Sequence, residues 1–489
     1  MLFNTINYIL FLPVVCLLYY VVPLKWRWYV LLVASLFFYS LFGWENLLLL
    51  LGVGGISFFS GKWIEQSKRK EIPLFLSLIL FLGYLFLFKY FNFFNIMVSR
   101  ILGFVHLKNP IPLIHLLMPV GISYYIFQVI GYHIDIYYGK IKAETHPLKL
   151  QLFFLFFPKI LQGPVERSRN IIPQFDKEQH FSYDNFVDGI RRIVWGIFQK
   201  VVVADRIAVL VSNVYVMPSD FKGFSLALAA ILFTFQLYFD FMGYTDIAIG
   251  TAKLFGINIM ENFNKPFSAK NITEYWRRWH ISLSTWLNEY LFNPMVISWR
   301  NWGQWGTLVA VFITFVIAGL WHGAGMTFLF YGALHGAALA YEILTKKQRK
   351  KWSKKIPSII YNNLSTLLTF LYASFTLIFF RAKDFAEVKY FITTIFKSWS
   401  SDLQAIFYGG MYSDRGNVLY LYAGQDTFLI AVGLIFMMMV IERFVNGPTY
   451  KVLSHPNIYI RWSIYFITLA IIIAFGMFHS QAEFIYVNF

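Results

Sequence analysis

Apolar runs of helical length recur along nearly the whole chain, and only short polar gaps separate them. By hydropathy and helix length they fall at residues 5–23, 28–43, 46–61, 73–95, 114–135, 150–162, 189–215, 224–250, 307–320, 326–344, 362–380, 427–441 and 461–478. Several are short or carry polar residues and read as partial spans. The pattern predicts an all-α polytopic membrane protein, a helical bundle with broken or re-entrant helices around a central cavity. No period of about 20 to 50 residues repeats and no segment has linker composition, so residues 1–489 read as one multi-pass membrane domain. Met1 to Val22 lacks a basic n-region and a small-residue cleavage site, and is expected to remain as the first span. The longest polar interval of the C-terminal third, 381–424, is expected to form an exposed loop with short amphipathic helices that could serve for docking.

The stretch from Thr307 to Leu344 contains no Asp, Glu, Lys or Arg except Glu342, yet glycines 319, 323 and 325 interrupt it. At about 1.5 Å per residue, Thr307 to Leu320 would cross only about two-thirds of the hydrocarbon core. A broken or re-entrant element is expected, with His322 at depth and facing a cavity, because irregular backbone survives there only where protein buries it or water lines it. A titratable ring in such a place is costly and suggests function. The alternative, a histidine that hydrogen-bonds between helices, weighs more heavily for His335, which sits in an ordinary helical run.

A second stretch runs from Asn271 to Tyr290. Asn271 with Glu274 three residues on reads as a capping box. Trp276, Trp279, Leu283, Trp286 and Tyr290 follow at spacings of three and four, giving one aromatic stripe, so an amphipathic helix at the membrane interface is expected. Arg277 and Arg278 beside His280 could hold the phosphates of an anionic cofactor at a cavity mouth, since guanidinium forks match phosphate oxygens. With Trp276 and Trp279 they form the candidate donor site. Headgroup contact, or a local pair with Glu274, is the competing reading.

Composition agrees: 58% of residues are hydrophobic, 20% aromatic and 14% charged, and mean hydropathy is +0.56, which excludes a soluble enzyme. The formal net charge of +17 is concentrated in gaps between spans, above all Lys346, Lys347, Arg349, Lys350, Lys351, Lys354 and Lys355. The positive-inside rule accounts for that cluster better than nucleic acid does, and it puts Lys62, Lys68, Arg69 and Lys70 in the cytoplasm and the N-terminus outside. The lone cysteine, Cys16, excludes an internal disulfide, and the ten histidines are scattered without metal-ligand spacing, so metal-independent catalysis is expected. Asp240 and Asp246 lie in an apolar run and read as buried partners for Arg or Lys. Gln128, His133 and Asp135 could line a cavity or simply pack.

Several blocks in order resemble the membrane-bound O-acyltransferase (MBOAT) family, in the branch containing the membrane subunit of bacterial alginate O-acetyltransferase. They are Met118-Pro119-Val120-Gly121-Ile122-Ser123-Tyr124-Tyr125-Ile126-Phe127-Gln128, Phe157-Pro158-Lys159-Ile160-Leu161-Gln162-Gly163-Pro164-Val165, Tyr238-Phe239-Asp240-Phe241-Met242-Gly243-Tyr244-Thr245-Asp246, and Glu261-Asn262-Phe263-Asn264-Lys265-Pro266-Phe267, besides the two histidine stretches. They mark residues 110–340 as the motif-bearing catalytic core. One departure is that residues 290–300 lack the paired glycines this branch commonly carries there.

The resemblance implies transfer of an acyl group, usually acetyl, from a cytoplasmic thioester such as acetyl-CoA to an acceptor reached from the other membrane face. His322 occupies the position of the family's catalytic histidine and His280 that of its companion. A neutral imidazole can take the proton of an acceptor hydroxyl, which makes His322 the candidate general base. His280 could orient the donor or stabilise the oxyanion, and both roles stay open. The expected setting is the bacterial cytoplasmic membrane, the acceptor an exported or cell-wall polysaccharide, and the partner an extracytoplasmic esterase-like acetyltransferase. The lack of a Gly-x-Ser-x-Gly elbow fits delegation of a serine step to that partner. The alternatives are D-alanyl transfer to teichoic acid from a carrier-protein thioester, and a transporter or lipid flippase.

Overall fold

The structure, a computed structural model, describes residues 2–3, 5–399, 420–478 and 485. Among them the chain forms helices and no strands, and eight helices are long and apolar enough to cross a membrane. Two compact units result, one of Met1–Ile190 with Ala248–Met260 and one of Arg191–Ile247 with Glu261–Phe489.

The first unit holds α1 (Ile6–Val21), α2 (Arg27–Ser40), α3 (Trp44–Gln66), α4 (Glu71–Leu85), α5 (Phe91–Phe104), α6 (Ile122–Tyr137), α7 (Pro147–Leu155) and α8 (Ser168–Asp176). A π-helical stretch, Phe86–Tyr90, joins α4 to α5 into one long span, Glu71–Phe104. Two expected spans are shorter than the apolar pattern. Residues 114–121 are not helical, because Pro110, Pro112 and Pro119 supply no amide donors; α6 starts only after Gly121, which turns the chain at φ +74°. Likewise α7 opens on Pro147 and stops at Leu155, ahead of Pro158, so the 150–162 run ends in turns. Almost every residue of α6 is buried, and several of its polar groups bond within this unit. His133 Nδ1 donates to the Val129 carbonyl at 2.7 Å and Nε2 meets Ser60 Oγ at 2.6 Å. Asp135 takes both contacts of Arg169 at 2.9 and 3.0 Å, and Gln128 accepts from the buried Lys159 ammonium. All three side chains thus take part in the packing of this unit.

From α9 (Tyr183–Ile197) the chain runs through a π-helical stretch, Phe198–Ala204, into α10 (Asp205–Val216) and then α11 (Phe224–Leu254). Within the second unit Lys200 reaches Asp240 at 2.7 Å and Asp205 at 2.8 Å. Arg192 reaches Asp246 at 2.8 Å and also binds Glu261, while Gln199 donates to Asp246 at 2.8 Å. The intramembrane carboxylates of α11 are therefore bundle pins, as buried charge requires. Gly196 and Gly243 permit this approach: a Cβ on Gly196 would lie 2.5 Å from the Gly243 carbonyl oxygen.

Further along lie α12 (Ile272–Arg278), α13 (Ile281–Leu287), α14 (Asn293–Ser298), α15 (Gln304–His322), α16 (Met326–Leu344), the basic α17 (Lys346–Lys355), α18 (Ser358–Arg381) and α19 (Phe385–Thr394), followed by Gln425–Phe444 and Ile458–Phe475. The expectation of a span too short before His322 is corrected. Helix α15 begins at Gln304, where Gly303 at φ +57° reverses the chain, and it includes His322; its 19 residues suffice to cross. Gly323 to Gly325 form a tight turn into α16, so the element is a hairpin of two full-length helices rather than a re-entrant loop. In the interval 381–424 a short helix, α19, does occur; residues 400–419, on which the rest of that expectation falls, lie outside the described residues.

Candidate active site

The single interface helix expected over 271–290 is two short helices broken at Trp279 and His280. Asn271 caps α12 by accepting the Glu274 amide at 2.8 Å, and Glu274 reaches back to the Lys270 amide at 2.9 Å. The helix stops because residues 262–264 capture its backbone: Asn264 N donates to the Arg278 carbonyl, and Ile281 N to the Asn262 carbonyl, both at 2.9 Å. The Asn262 side chain then accepts Ser282 N at 3.2 Å and Ser282 Oγ at 2.6 Å. His280, between these anchors, is held in the left-handed region at φ 45°, ψ 53°. A non-glycine residue there is uncommon, though histidine is among those enriched. The aromatic stripe is also reassigned. Trp276, Trp279, Leu283, Trp286 and Tyr290 are all buried, Trp279 stacking on Tyr275 with centroids 5.6 Å apart, so the stripe is core rather than interfacial anchor.

The break turns His280 towards the end of α15. The His280 and His322 ring centroids lie 6.4 Å apart, and the two residues are 0% and 2% exposed. Phe241 packs perpendicular to His280 with centroids 4.7 Å apart, and Phe380 packs on His322 at 5.3 Å. Among the described residues neither nitrogen of His280 has a hydrogen-bond partner. Burial pushes this imidazole down to about 3, so at neutral pH it offers one N–H and one lone pair. Buried polar atoms are nearly always satisfied, and an exception among packed aromatic rings suits a group that meets a substrate.

His335 is the contrasting case. The Trp276 indole N–H donates to its Nδ1 at 3.2 Å. Thr376 Oγ1 spends its proton on the Ala373 carbonyl at 2.8 Å and so receives Nε2–H of His335 at 3.0 Å. Both nitrogens are committed, and the ring is a neutral structural tether. The arginines divide similarly: Arg278 binds Glu274 at 2.8 Å and the Asn264 carbonyl at 3.2 Å. Arg277 is exposed, and no ion-pair partner occurs for it among the described residues. It borders a cavity of about 420 Å³ with Trp276, Ile281, Ser284, Asn288, Val311 and Phe315. Trp279 does not line that cavity. Two residues that matter to this geometry went unassigned from sequence. Asn262 lies in the Glu261–Phe267 motif, where local sequence gives it no role, and Glu342 is the one charge in its apolar stretch.

A helical membrane bundle with paired buried histidines at a helix break defines the class. The profile of the membrane-bound O-acyltransferase family matches residues 137–381. The chain belongs to this family and is a multi-pass membrane O-acyltransferase. It is 33% identical over 443 residues to a probable alginate O-acetylase of Pseudomonas aeruginosa, covering 90% of this chain and 81% of that protein. It is 33% identical over 430 residues to a peptidoglycan O-acetyltransferase of Helicobacter pylori, covering 78% and 77%. A teichoic acid D-alanyltransferase of Bacillus subtilis is 30% identical over 281 residues, covering 54% and 69%.

Proposed function

We propose that the chain moves an acetyl group from a thioester donor, acetyl-CoA presented at the cytoplasmic face, for O-acetylation of an exported or cell-wall polysaccharide, with His322 as general base. The observation that carries this reading is the pair of buried imidazoles 6.4 Å apart, one with both nitrogens uncommitted. His322 takes the hydroxyl proton as the acceptor oxygen attacks the thioester carbonyl. The C–S bond breaks as the tetrahedral centre collapses, and the thiolate leaves with that proton. The N–H of His280 is available to the oxyanion, an interaction stronger in the transition state than in the ground state.

Of the four residues expected at the donor, Arg277 is the best placed to meet a phosphate, because its charge is uncommitted beside the cavity; Trp276 lines the same cavity. The alginate and peptidoglycan relatives cover more of this chain than the D-alanyl relative does, which favours acetyl. The setting proposed is the bacterial cytoplasmic membrane, with an extracytoplasmic esterase-like partner completing transfer to the sugar.

The test is label transfer from acetyl-CoA by purified protein in detergent, wild type against His322→Ala, with and without such a partner. Loss of transfer in a folded His322→Ala protein supports the reading. Turnover of a carrier-bound D-alanyl thioester in place of acetyl-CoA would move the chain to the second branch. If no thioester turns over while a polar solute crosses liposomes, transport replaces acyl transfer.

A further inference from the structure

We infer that Glu342 and His335 of α16 form a positioning clamp that sets the separation of His280 and His322, an inference that rests on the catalytic reading of that pair. They lie seven residues apart, two turns along one face of α16. Glu342 is buried and accepts three donors from the start of α12: Ile272 N at 2.6 Å, Thr273 N at 3.0 Å and Thr273 Oγ1 at 2.6 Å. One helical turn on, Trp276 of α12 donates to His335. Helix α12 is thus tied to α16 at both its first residue and its middle, and it ends two residues before His280.

His322 is referred to the same helix by another route. It closes α15, and α15 is seated on α16 through glycines: a Cβ on Gly319 would fall 2.9 Å from Gly332 Cα, and one on Gly336 would fall 3.0 Å from Phe312 Cα. Helix α16 is therefore the common reference for both imidazoles. The His322 route is backbone against backbone, whereas the His280 route runs along α12 through one carboxylate and one imidazole, beside the Asn262 and Asn264 contacts that hold the break itself. A carboxylate is suited to this, since three converging donors and the positive end of a short helix are all served by one side chain.

The experiment uses the full-length protein in detergent. Glu342→Gln keeps the side-chain volume but places an amide N–H against donors. Its kcat for acetyl transfer is expected to fall about 10²-fold, as for an ångström-scale misplacement. The same substitution is then made in a His280→Asn background. A clamp acting through His280 has little left to lose there, so the second drop should nearly vanish. Equal drops in both backgrounds, or no drop in the first, would overturn the clamp. If Glu342→Gln does not fold, Thr273→Val removes one of the three donors at nearly constant shape and carries the same two-background comparison. Retention of full transfer in His322→Ala would instead sink the catalytic reading, and the clamp with it.

Discussion

Gly319 and Gly332 face each other across the α15–α16 hairpin so closely that a Cβ on Gly319 would lie 2.9 Å from the Gly332 Cα. A Cβ on Gly332 would in turn lie 3.0 Å from the Phe315 carbonyl carbon. Backbone meets backbone, so neither side can yield by a rotamer change, and small residues are what such helix interfaces select. Gly332→Ala is expected to destabilise the folded protein by about 1–3 kcal/mol, read as a lower midpoint of thermal unfolding in detergent. Because His322 lies three residues beyond Gly319, acetyl transfer should drop as well. Wild-type stability together with wild-type transfer would show that the hairpin tolerates spreading.

Arg277 and Arg278 are neighbours with different surroundings, and substitution should separate them. Arg278→Gln removes a half-exposed pair with Glu274, worth about 1 kcal/mol or less, and should leave transfer kinetics intact. Arg277→Gln removes the uncommitted guanidinium beside the cavity. Loss of a charge-assisted phosphate contact of about 1.5–3 kcal/mol corresponds to a rise in donor KM of about 10- to 100-fold with kcat little changed. An unchanged KM in Arg277→Gln would take this arginine out of the donor site.

Lys200 is 1% exposed and holds two carboxylates, Asp240 and Asp205. Lys200→Met leaves both buried without that cation, and breaking such an arrangement costs about 3–5 kcal/mol. The expected result is loss of monodisperse protein on size exclusion after solubilisation. Lys200→Met combined with Asp240→Asn should recover part of it, since one orphaned charge is removed. Monodisperse Lys200→Met with a wild-type unfolding midpoint would contradict the bundle-pin role.

Much of this was legible in the residues. Apolar length located the long spans, and the isolated charges Asp240 and Asp246 announced buried partners, because a carboxylate in hydrocarbon has few other options. Two of the missed features share a cause. The break at His280 is imposed from outside its own segment, by Asn262 and Asn264 taking backbone groups that a continuous helix would have kept. Periodicity within 271–290 cannot register that competition, and so a buried aromatic stripe read as an interfacial one. The start of α15 was missed for the opposite reason: Gln304 and Trp305 are polar or amphipathic, yet Gly303 lets the helix begin on them. Glu342 stood out as the sole charge in its stretch, but its three donors belong to a helix about seventy residues earlier and no local pattern connects them.

His280 combines a strained backbone, complete burial and two unsatisfied nitrogens, each of which costs stability that a substrate contact can offset. Asparagine accepts the left-handed region and is smaller, so His280→Asn should unfold at the same temperature as wild type or higher, while transfer falls about 10²- to 10³-fold, as on losing an oxyanion donor. Titration supplies an independent check. Burial pushes the folded-state value down to about 3, against about 6.5 for an unfolded histidine. The unfolded chain therefore binds this proton first as pH falls. The stability of the neutral ring is fully present above about pH 6.5 and is lost progressively below it, by about 2 kcal/mol at pH 5. Unfolding midpoints measured from pH 7.5 to pH 5 should decline more steeply for wild type than for His280→Asn. Parallel curves would mean that the folded ring titrates as it does in the unfolded chain, and would contradict its burial away from water.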